Sequence, residues 1–153
     1  MNIAINICLV YLSLSDCALQ ATASPAVQVR PNIVIVIADD QTWSDSGCYG
    51  NSDVNTPHID QLAKEGLKFN LAFTATAMCS PTRQQLYTGL FPVRSGAYPN
   101  HSQVRKGTRS FVHYFKDAGY RVGLCGKRHI GPADSFPFTT VRKDKLAAFV
   151  AEP

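Results

Sequence analysis

The segment with the strongest chemical character runs from Cys79 to Arg83 and reads Cys-Ser-Pro-Thr-Arg. Ser80 is a favoured helix N-cap and Pro81 suits the first helical position, so the segment predicts the start of a helix. Cys79 would stand just before that start, where free backbone amides and the helix dipole favour an anion. Arg83 lies one turn further and could reach back with a planar set of donors. The pattern indicates an anion site at the start of this helix, with a buried free cysteine next to an ordinary helix as the alternative.

A pair of adjacent carboxylates, Asp39 and Asp40, follows the apolar run Ile33–Ile37. Five branched apolar residues without alternation predict a strand that is buried on both faces. Ligands of open α/β sheets bind beyond the carboxyl ends of the strands. Adjacent carboxylates repel each other unless a cation or donors neutralise them, and oxygen ligands suit Ca²⁺ or Mg²⁺. The pattern indicates a cation site; the alternative is a solvated acidic turn to which Gln41 and Ser44 donate.

A third segment, Gly126–Pro132, follows a predicted strand over Tyr120–Cys125 and reads Gly-Lys-Arg-His-Ile-Gly-Pro. Lys127 and His129 are two residues apart at the end of that strand, so both side chains could point to the same side. A basic surface turn is the alternative, and it is the commoner fate of a Lys-Arg pair.

Together, these segments resemble the signatures of the sulfatase family. Cys79–Arg83, with a Thr-Gly pair shortly after it, resembles the Cys-x-Pro-x-Arg signature, and Asp39-Asp40 resembles the metal-binding pair after the first strand. Gly126–Gly131 is similar to the family's Gly-Lys-x-His-x-Gly motif. The run Asn55–Ala63 resembles a further sulfatase phrase, TPNLDRLA. The resemblance extends over residues 32 to about 138.

One position departs from the family pattern. Arg128 stands where sulfatases usually carry tryptophan. With Pro132 and the following Phe136-Pro137-Phe138, the motif more closely resembles the heparan N-sulfatase (sulfamidase) branch and its bacterial relatives.

The resemblance implies a set of roles for these residues. Cys79 would be converted after translation to formylglycine, the catalytic nucleophile. The metal ligands would be Asp39, Asp40 and the modified residue 79, and the resemblance implies a divalent cation, Ca²⁺. Arg83 and Lys127 would stabilise the nucleophile and the anionic transition state, and His129 would hydrogen-bond the hydrated aldehyde. The implied partners are a sulfated carbohydrate or other small sulfate ester and a maturation enzyme that generates formylglycine.

The resemblance also implies the fold class, which is α/β with a mixed, largely parallel β-sheet sandwiched by helices, as in alkaline phosphatase. That sheet is expected to be incomplete here, because sulfatases are considerably longer and complete their metal site with a later Asp-Asn or Asp-His pair. Residues 32–153 are therefore expected to be the N-terminal portion of a sulfatase catalytic domain, inactive alone.

The remaining elements follow from turn and capping residues. Thr56 and Pro57 open a helix that Gly66 ends, and residues 67–75 return as a strand. This β-α-β unit would bring the paired aspartates and the cysteine to one sheet edge. Three further elements are predicted, namely an end of the signature helix at Gly89, a helix from its cap Thr108 to Gly119, and an amphipathic helix over Lys143–Val150.

Composition fits a globular domain and excludes some partners. The chain has 153 residues, is 45% hydrophobic and 17% charged, and carries a net charge of +4. It contains no dense Lys/Arg run, so nucleic acid is not implied. The three cysteines after residue 23, namely Cys48, Cys79 and Cys125, do not indicate a disulfide framework, although one bridge between Cys48 and Cys125 is possible.

The first 23 residues resemble a secretory signal peptide, with an apolar run over Ile3–Leu14 and a small-x-small site at Ala21-Thr22-Ala23. The apolar run is too short for a comfortable membrane span. Residues 24–31 are predicted to be a linker. The protein is therefore expected to be exported, to the periplasm, the lysosome or the outside of the cell. Asn100-His101-Ser102 is a glycosylation sequon in a eukaryotic secretory host.

Two other functions remain open from the sequence. The first is a phosphonate or phosphate monoester hydrolase of the same superfamily. The second is a secreted, non-catalytic truncated protein that binds sulfated glycans through four basic residues, Arg83, Arg94, Lys127 and Arg128.

Overall fold

The structure, a computed structural model, describes residues 30–151. The signal peptide at 1–23 and most of the linker therefore lie outside the described residues. The chain divides into two units, residues 1–36 and residues 37–153. In the described part of the first unit, residues 30–36, no strand forms, and Val34 and Val36 are 75% and 89% exposed. The prediction of a buried strand over Ile33–Ile37 is wrong for this chain, because such a strand needs hydrogen-bonded neighbours that residues 30–151 do not supply.

The second unit contains short helices and one small sheet. No described helix is long and apolar enough to cross a membrane. Short 3₁₀ turns lie at Trp43–Asp45, Gly47–Tyr49, Ala133–Ser135 and Lys143–Lys145. The helices and strands are α1 (Pro57–Glu65), α2 (Cys79–Thr88), α3 (Pro92–Ser95), α4 (Phe111–Asp117), β1 (Gly123–Leu124), β2 (Thr139–Thr140) and α5 (Leu146–Ala151).

The sheet consists of β1 and β2, paired in parallel with Gly123 opposite Thr139. The α/β class with parallel pairing is confirmed, and β1 lies inside the predicted strand Tyr120–Cys125. Helix α5 closes over this pair, since a Cβ on Gly123 would come within 2.6 Å of the Phe149 ring. The predicted strand over 67–75 is not found. Its alternate apolar residues are 62–89% exposed, namely Leu67, Phe69, Leu71 and Phe73. The backbone of this segment forms no strand because no neighbouring strand is present within residues 30–151 to hydrogen-bond with it.

The helix boundaries agree with the sequence at α1 and differ at α2. Helix α1 begins at Pro57, after its N-cap Thr56, and ends before Gly66, as predicted. Helix α2 begins at Cys79 with Met78 as N-cap, two residues earlier than predicted. Ser80 does not cap because its hydroxyl donates to the Ser102 carbonyl (3.3 Å) and accepts from a glutamine amide.

The end of α2 and the start of α4 also depend on capping residues. Helix α2 ends at Gly89, which adopts φ 69°, as predicted. Helix α4 is capped by Ser110 rather than by Thr108, because the Thr108 hydroxyl donates to the Arg105 carbonyl instead. The Lys143–Val150 prediction is met by a 3₁₀ turn followed by α5.

The buried core lies against α2 and is largely aromatic. Tyr87 of α2 is 3% exposed, and its ring meets Phe111 of α4 and Phe138 edge to face at 5.5 and 5.3 Å. Phe136 is fully buried beside them. Edge-to-face pairs add about 0.5–1.5 kcal/mol beyond area burial. This packing fixes the face of α2 that carries Arg83.

A buried amide joins α2 to two separate loops. Gln84 is fully buried, and its Nε2 donates to the Ser80 hydroxyl (2.9 Å) and to the Ser102 carbonyl (2.8 Å). Its Oε1 accepts from the backbone amides of Val104 (3.1 Å) and Gly131 (3.4 Å). Two donors and both acceptor positions of the amide are thereby used.

Replacement of Gln84 should therefore destabilise the chain strongly. Gln84→Leu leaves the buried amide of Gly131 without its partner, and the Ser102 carbonyl keeps only the Ser80 hydroxyl. An unsatisfied buried group costs about 1–3 kcal/mol. We expect the free energy of unfolding, measured by urea titration, to fall by about 2 kcal/mol or more. Gln85→Leu, next along α2 and only partly buried, is the control; an equal loss in both variants would contradict the role given to the Gln84 amide.

Candidate active site

The carboxylate of Asp39 lies between two cationic side chains. Its Oδ1 accepts from Arg83 Nη2 at 3.3 Å, and its Oδ2 accepts from Lys127 Nζ at 2.5 Å. Arg83 also approaches the Lys127 carbonyl, with Nη1 at 3.5 Å from the oxygen. One residue from each of the three predicted segments, namely Asp39, Arg83 and Lys127, therefore takes part in this contact.

The three charges differ in exposure. The Arg83 side chain is 7% exposed, whereas those of Asp39 and Lys127 are 41% and 39% exposed. A buried guanidinium stays charged and needs an anionic partner. Hydrogen bonding from Lys127, with a smaller contribution from Arg83, holds the pKa of Asp39 below its usual value. The same bond with Asp39 raises the pKa of Lys127.

Cys79 occupies the first position of α2, half-buried, with Sγ 3.9 Å from Asn100 Oδ1. Its position inside the first turn still leaves it among the free amides of the helix start. Cys79, Cys48 and Cys125 all carry free thiols, so the possible bridge between the latter two is not formed here.

His129 forms a pair with His101. Nε2 of His129 lies 2.9 Å from Nδ1 of His101, and the ring centroids are 4.8 Å apart. The other ring nitrogen of His129, Nδ1, is buried and has no hydrogen-bond partner among the described residues. Burial first, then the nearby His101 and Lys127, lowers the pKa of His129.

Backbone strain gathers at the same place. Within residues 30–151, the non-glycine residues with positive φ are Asp40 (56°), His101 (68°) and His129 (45°). Left-handed non-glycine residues cost about 1–3 kcal/mol and collect at functional sites. Asp and His tolerate this region better than most residue types.

The donor chemistry fits a divalent cation only in part. Asp39 and Asp40 offer the hard oxygen atoms that Ca²⁺ prefers, but Ca²⁺ takes six to eight of them. Across residues 30–151, no group of three or more acidic, histidine or cysteine side chains is placed to hold a metal ion. Asp40 is exposed and makes no side-chain hydrogen bond within this part of the chain. The described residues therefore provide a partial ligand set.

Sequence reasoning missed three residues that contact this site: Gln84, Asn100 and His101. Asn100 and His101 are predicted from the sequence only as part of a glycosylation sequon. The Asn100 side chain lies near the Cys79 sulfur, with Oδ1 3.9 Å from Sγ. The type of His101, which tolerates left-handed backbone, was the available signal.

Comparison with known proteins identifies the chain. A model of the family described as Sulfatase matches residues 31–151. The chain belongs to the sulfatase family. The ulvan-active sulfatase of Formosa agariphila is 45% identical over 113 residues, which are 74% of this chain and 23% of that protein. Human N-sulphoglucosamine sulphohydrolase is 40% identical over 117 residues, covering 72% of this chain and 23% of that protein.

A solved sulfatase-family chain, yidJ from Bacteroides fragilis, is 34% identical, with a TM-score of 0.49. The match covers 57% of this chain and 20% of that one. This sulfatase chain thus spans about a fifth to a quarter of the length of the relatives that it matches.

The buried His129 should make the sulfatase chain less stable as the pH falls. Because its folded pKa lies below the unfolded value of about 6.5, the unfolded state binds the proton more readily, and stability declines as the pH drops through that value. In His129→Asn this part of the decline should disappear, while the backbone keeps a residue that tolerates positive φ. Urea unfolding at neutral and mildly acidic pH measures it.

The matched control is His58→Asn, since His58 lies exposed on α1. Its pH dependence should equal that of the parent chain. If His129→Asn loses stability on acidification as steeply as the parent, burial of His129 is not the cause.

Proposed function

We propose that residues 32–153 are the N-terminal portion of a sulfatase catalytic domain. The whole domain is proposed to hydrolyse a sulfuric ester or a sulfamate with a formylglycine derived from Cys79. The observation that carries the proposal is the meeting of Arg83 and Lys127 on Asp39, beside a helix that starts at Cys79. Family membership supplies the reaction class. The chain alone is proposed to be inactive, because its ligand set is partial.

Formylglycine explains why this position needs a cysteine that is afterwards modified. Once hydrated, the aldehyde at residue 79 offers two hydroxyls. One attacks sulfur while the bond from sulfur to the substrate oxygen or nitrogen breaks and the alcohol or amine leaves with a proton. The second hydroxyl then loses its proton and expels sulfate, which regenerates the aldehyde. A plain thiolate offers no comparable release step. Asn100, whose Oδ1 lies near Cys79 Sγ, is placed to contact either form of the residue.

The basic side chains would bind the anion. Lys127 is partly exposed, and its hydrogen bond with Asp39 raises its pKa and so favours the charged ammonium, which is proposed to bind an oxygen of the sulfate group. Arg83 is buried and stays on Asp39. Fixed donors of this kind stabilise developing negative charge. His129 is proposed to donate to or accept from the hydrated residue 79.

A divalent cation, which we propose to be Ca²⁺, would be held by Asp39, Asp40 and residue 79 and would neutralise the sulfate oxygens. In this chain Asp39 is neutralised by Lys127 and Arg83 instead. A cation at Asp39 would therefore compete with the Lys127 ammonium for the same carboxylate.

Export and partners remain parts of the proposal. The signal peptide at 1–23 would direct the protein to the secretory route, where a sulfated carbohydrate or small sulfate ester is the proposed substrate. A formylglycine-generating or equivalent enzyme is the proposed maturation partner, and it would recognise the segment Cys79–Arg83.

The glycan-binding alternative is disfavoured by the basic side chains themselves. Arg83 and Lys127 are paired with Asp39, and Arg128 Nη1 donates to Thr140 Oγ1 at 3.2 Å. Three of the four basic residues are thereby engaged within the chain. No specific observation favours a phosphate monoester hydrolase.

The first expected result concerns residue 79 itself. When the chain is produced with a competent modifying enzyme, mass spectrometry of the peptide that contains Cys79 should find aldehyde in place of thiol. Cys48 and Cys125 are the internal controls and should remain thiols. Activity belongs to the whole gene product, which should cleave an aryl sulfate in preference to an aryl phosphate with the same leaving group.

Full sulfatase activity with an unmodified Cys79 would overturn the mechanism. A preference for aryl phosphate would transfer the proposal to the phosphate monoester hydrolases. A gene product without turnover that binds sulfated glycan in a salt-sensitive manner would favour the binding alternative.

A further inference from the structure

His101 and His129 come from loops that are 28 residues apart, yet their rings share a hydrogen bond of 2.9 Å. Between two neutral imidazoles, one nitrogen must donate and the other accept. The rings also lie close, with centroids 4.8 Å apart and an angle of 44° between their planes. His101 therefore both contacts one edge of the His129 ring and restricts its tilt.

The hydrogen bond with His101 leaves one ring nitrogen of His129, Nδ1, available for another partner. Nε2 is engaged by His101, and Nδ1 is buried with no partner among the described residues. A buried polar atom without a partner is costly in a resting protein, and such atoms call for an explanation such as a catalytic role. The arrangement is understandable if a partner for Nδ1 arrives with the reacting groups.

The backbone holds both rings in place. His101 and His129 each adopt the left-handed conformation, which the surrounding structure must enforce. Gln84 supplies the enforcement, because its amide bonds Ser102 and Val104 on one loop and Gly131 on the other. The buried Gln84 amide therefore contributes to holding both loops that carry the histidine pair.

We propose that His101 is a positioning residue for His129: it occupies Nε2 and leaves Nδ1 as the single nitrogen free to meet residue 79 or a bound sulfuryl group. The tautomer of a histidine is set by the bond that its other nitrogen makes. His101 thus decides whether Nδ1 donates or accepts. Arg83, Lys127 and Asp39 are the charged groups near His129, and the two cations contribute to lowering its pKa whereas Asp39 raises it.

The catalytic consequence rests on the role proposed above for His129, but the hydrogen bond does not. A test that reads the His129 ring in this chain can therefore fail while the proposed function stands. Conversely, an unmodified Cys79 in active protein would leave the result for the ring intact.

The experiment is NMR of the 153-residue chain labelled with ¹⁵N-histidine, which reports the protonation of each ring nitrogen. His101→Gly removes the ring and introduces no steric strain at φ 68°. His101→Asp also tolerates that conformation, and its carboxylate can only accept a hydrogen bond. His58→Ala, on the exposed surface of α1, is the control.

In the parent chain and in His58→Ala, we expect one tautomer of His129. In His101→Gly the ring should become a mixture of tautomers. In His101→Asp it should be fixed with the proton on Nε2, with its pKa shifted upwards by the added charge. Ring-nitrogen signals of His129 that stay the same in both His101 variants would overturn the proposal. If His101→Gly fails to fold, unchanged ring-nitrogen signals of His129 in His101→Asp are sufficient to overturn the proposal.

Discussion

The candidate site depends on one buried side-chain amide. Gln84 sits on the same helix as Cys79 and Arg83, and it bonds the backbone beside His101 and the backbone two residues after His129. Since the amide is fully buried, water cannot replace any of these bonds when one is lost. Gln84 therefore joins α2 to both histidine loops, which are also joined to each other by the hydrogen bond from Val104 N to Gly131 O at 3.0 Å. The aromatic packing of Tyr87 holds the helix itself.

Charge compensation is the second constraint. Here the charged side chains of the candidate site hold a segment of the backbone in place. Arg83 is 6% exposed as a residue, so its guanidinium requires an anion close by. Asp39 meets this need, and Lys127 joins from the far end of the chain. The aspartate segment has no strand partner in the described chain, so these ion pairs hold Asp39 where sheet hydrogen bonds do not.

Local chemistry was readable from the sequence, whereas long-range roles were not. Thr56 and Pro57 begin α1 as predicted because capping depends only on near neighbours. Ser80 was assigned as a cap by the same rule and is not one, because its hydroxyl is taken by Gln84 and Ser102, the latter 22 residues away. The function of Gln84 depends on Gly131, 47 residues further on, and no local pattern reports such a contact. The strands fail for a related reason, since an apolar run forms a strand only where a partner pairs with it.

These two constraints together explain why strain can persist at this site. Asp40, His101 and His129 hold left-handed backbone that is unfavourable for each of them. The two histidine loops are held by the Gln84 amide, and Asp40 follows directly on a residue that is held by two cations. The positive charge that neutralises Asp39 in this chain comes from the Lys127 ammonium and the Arg83 guanidinium, so these two contacts position the backbone that leads into Asp40.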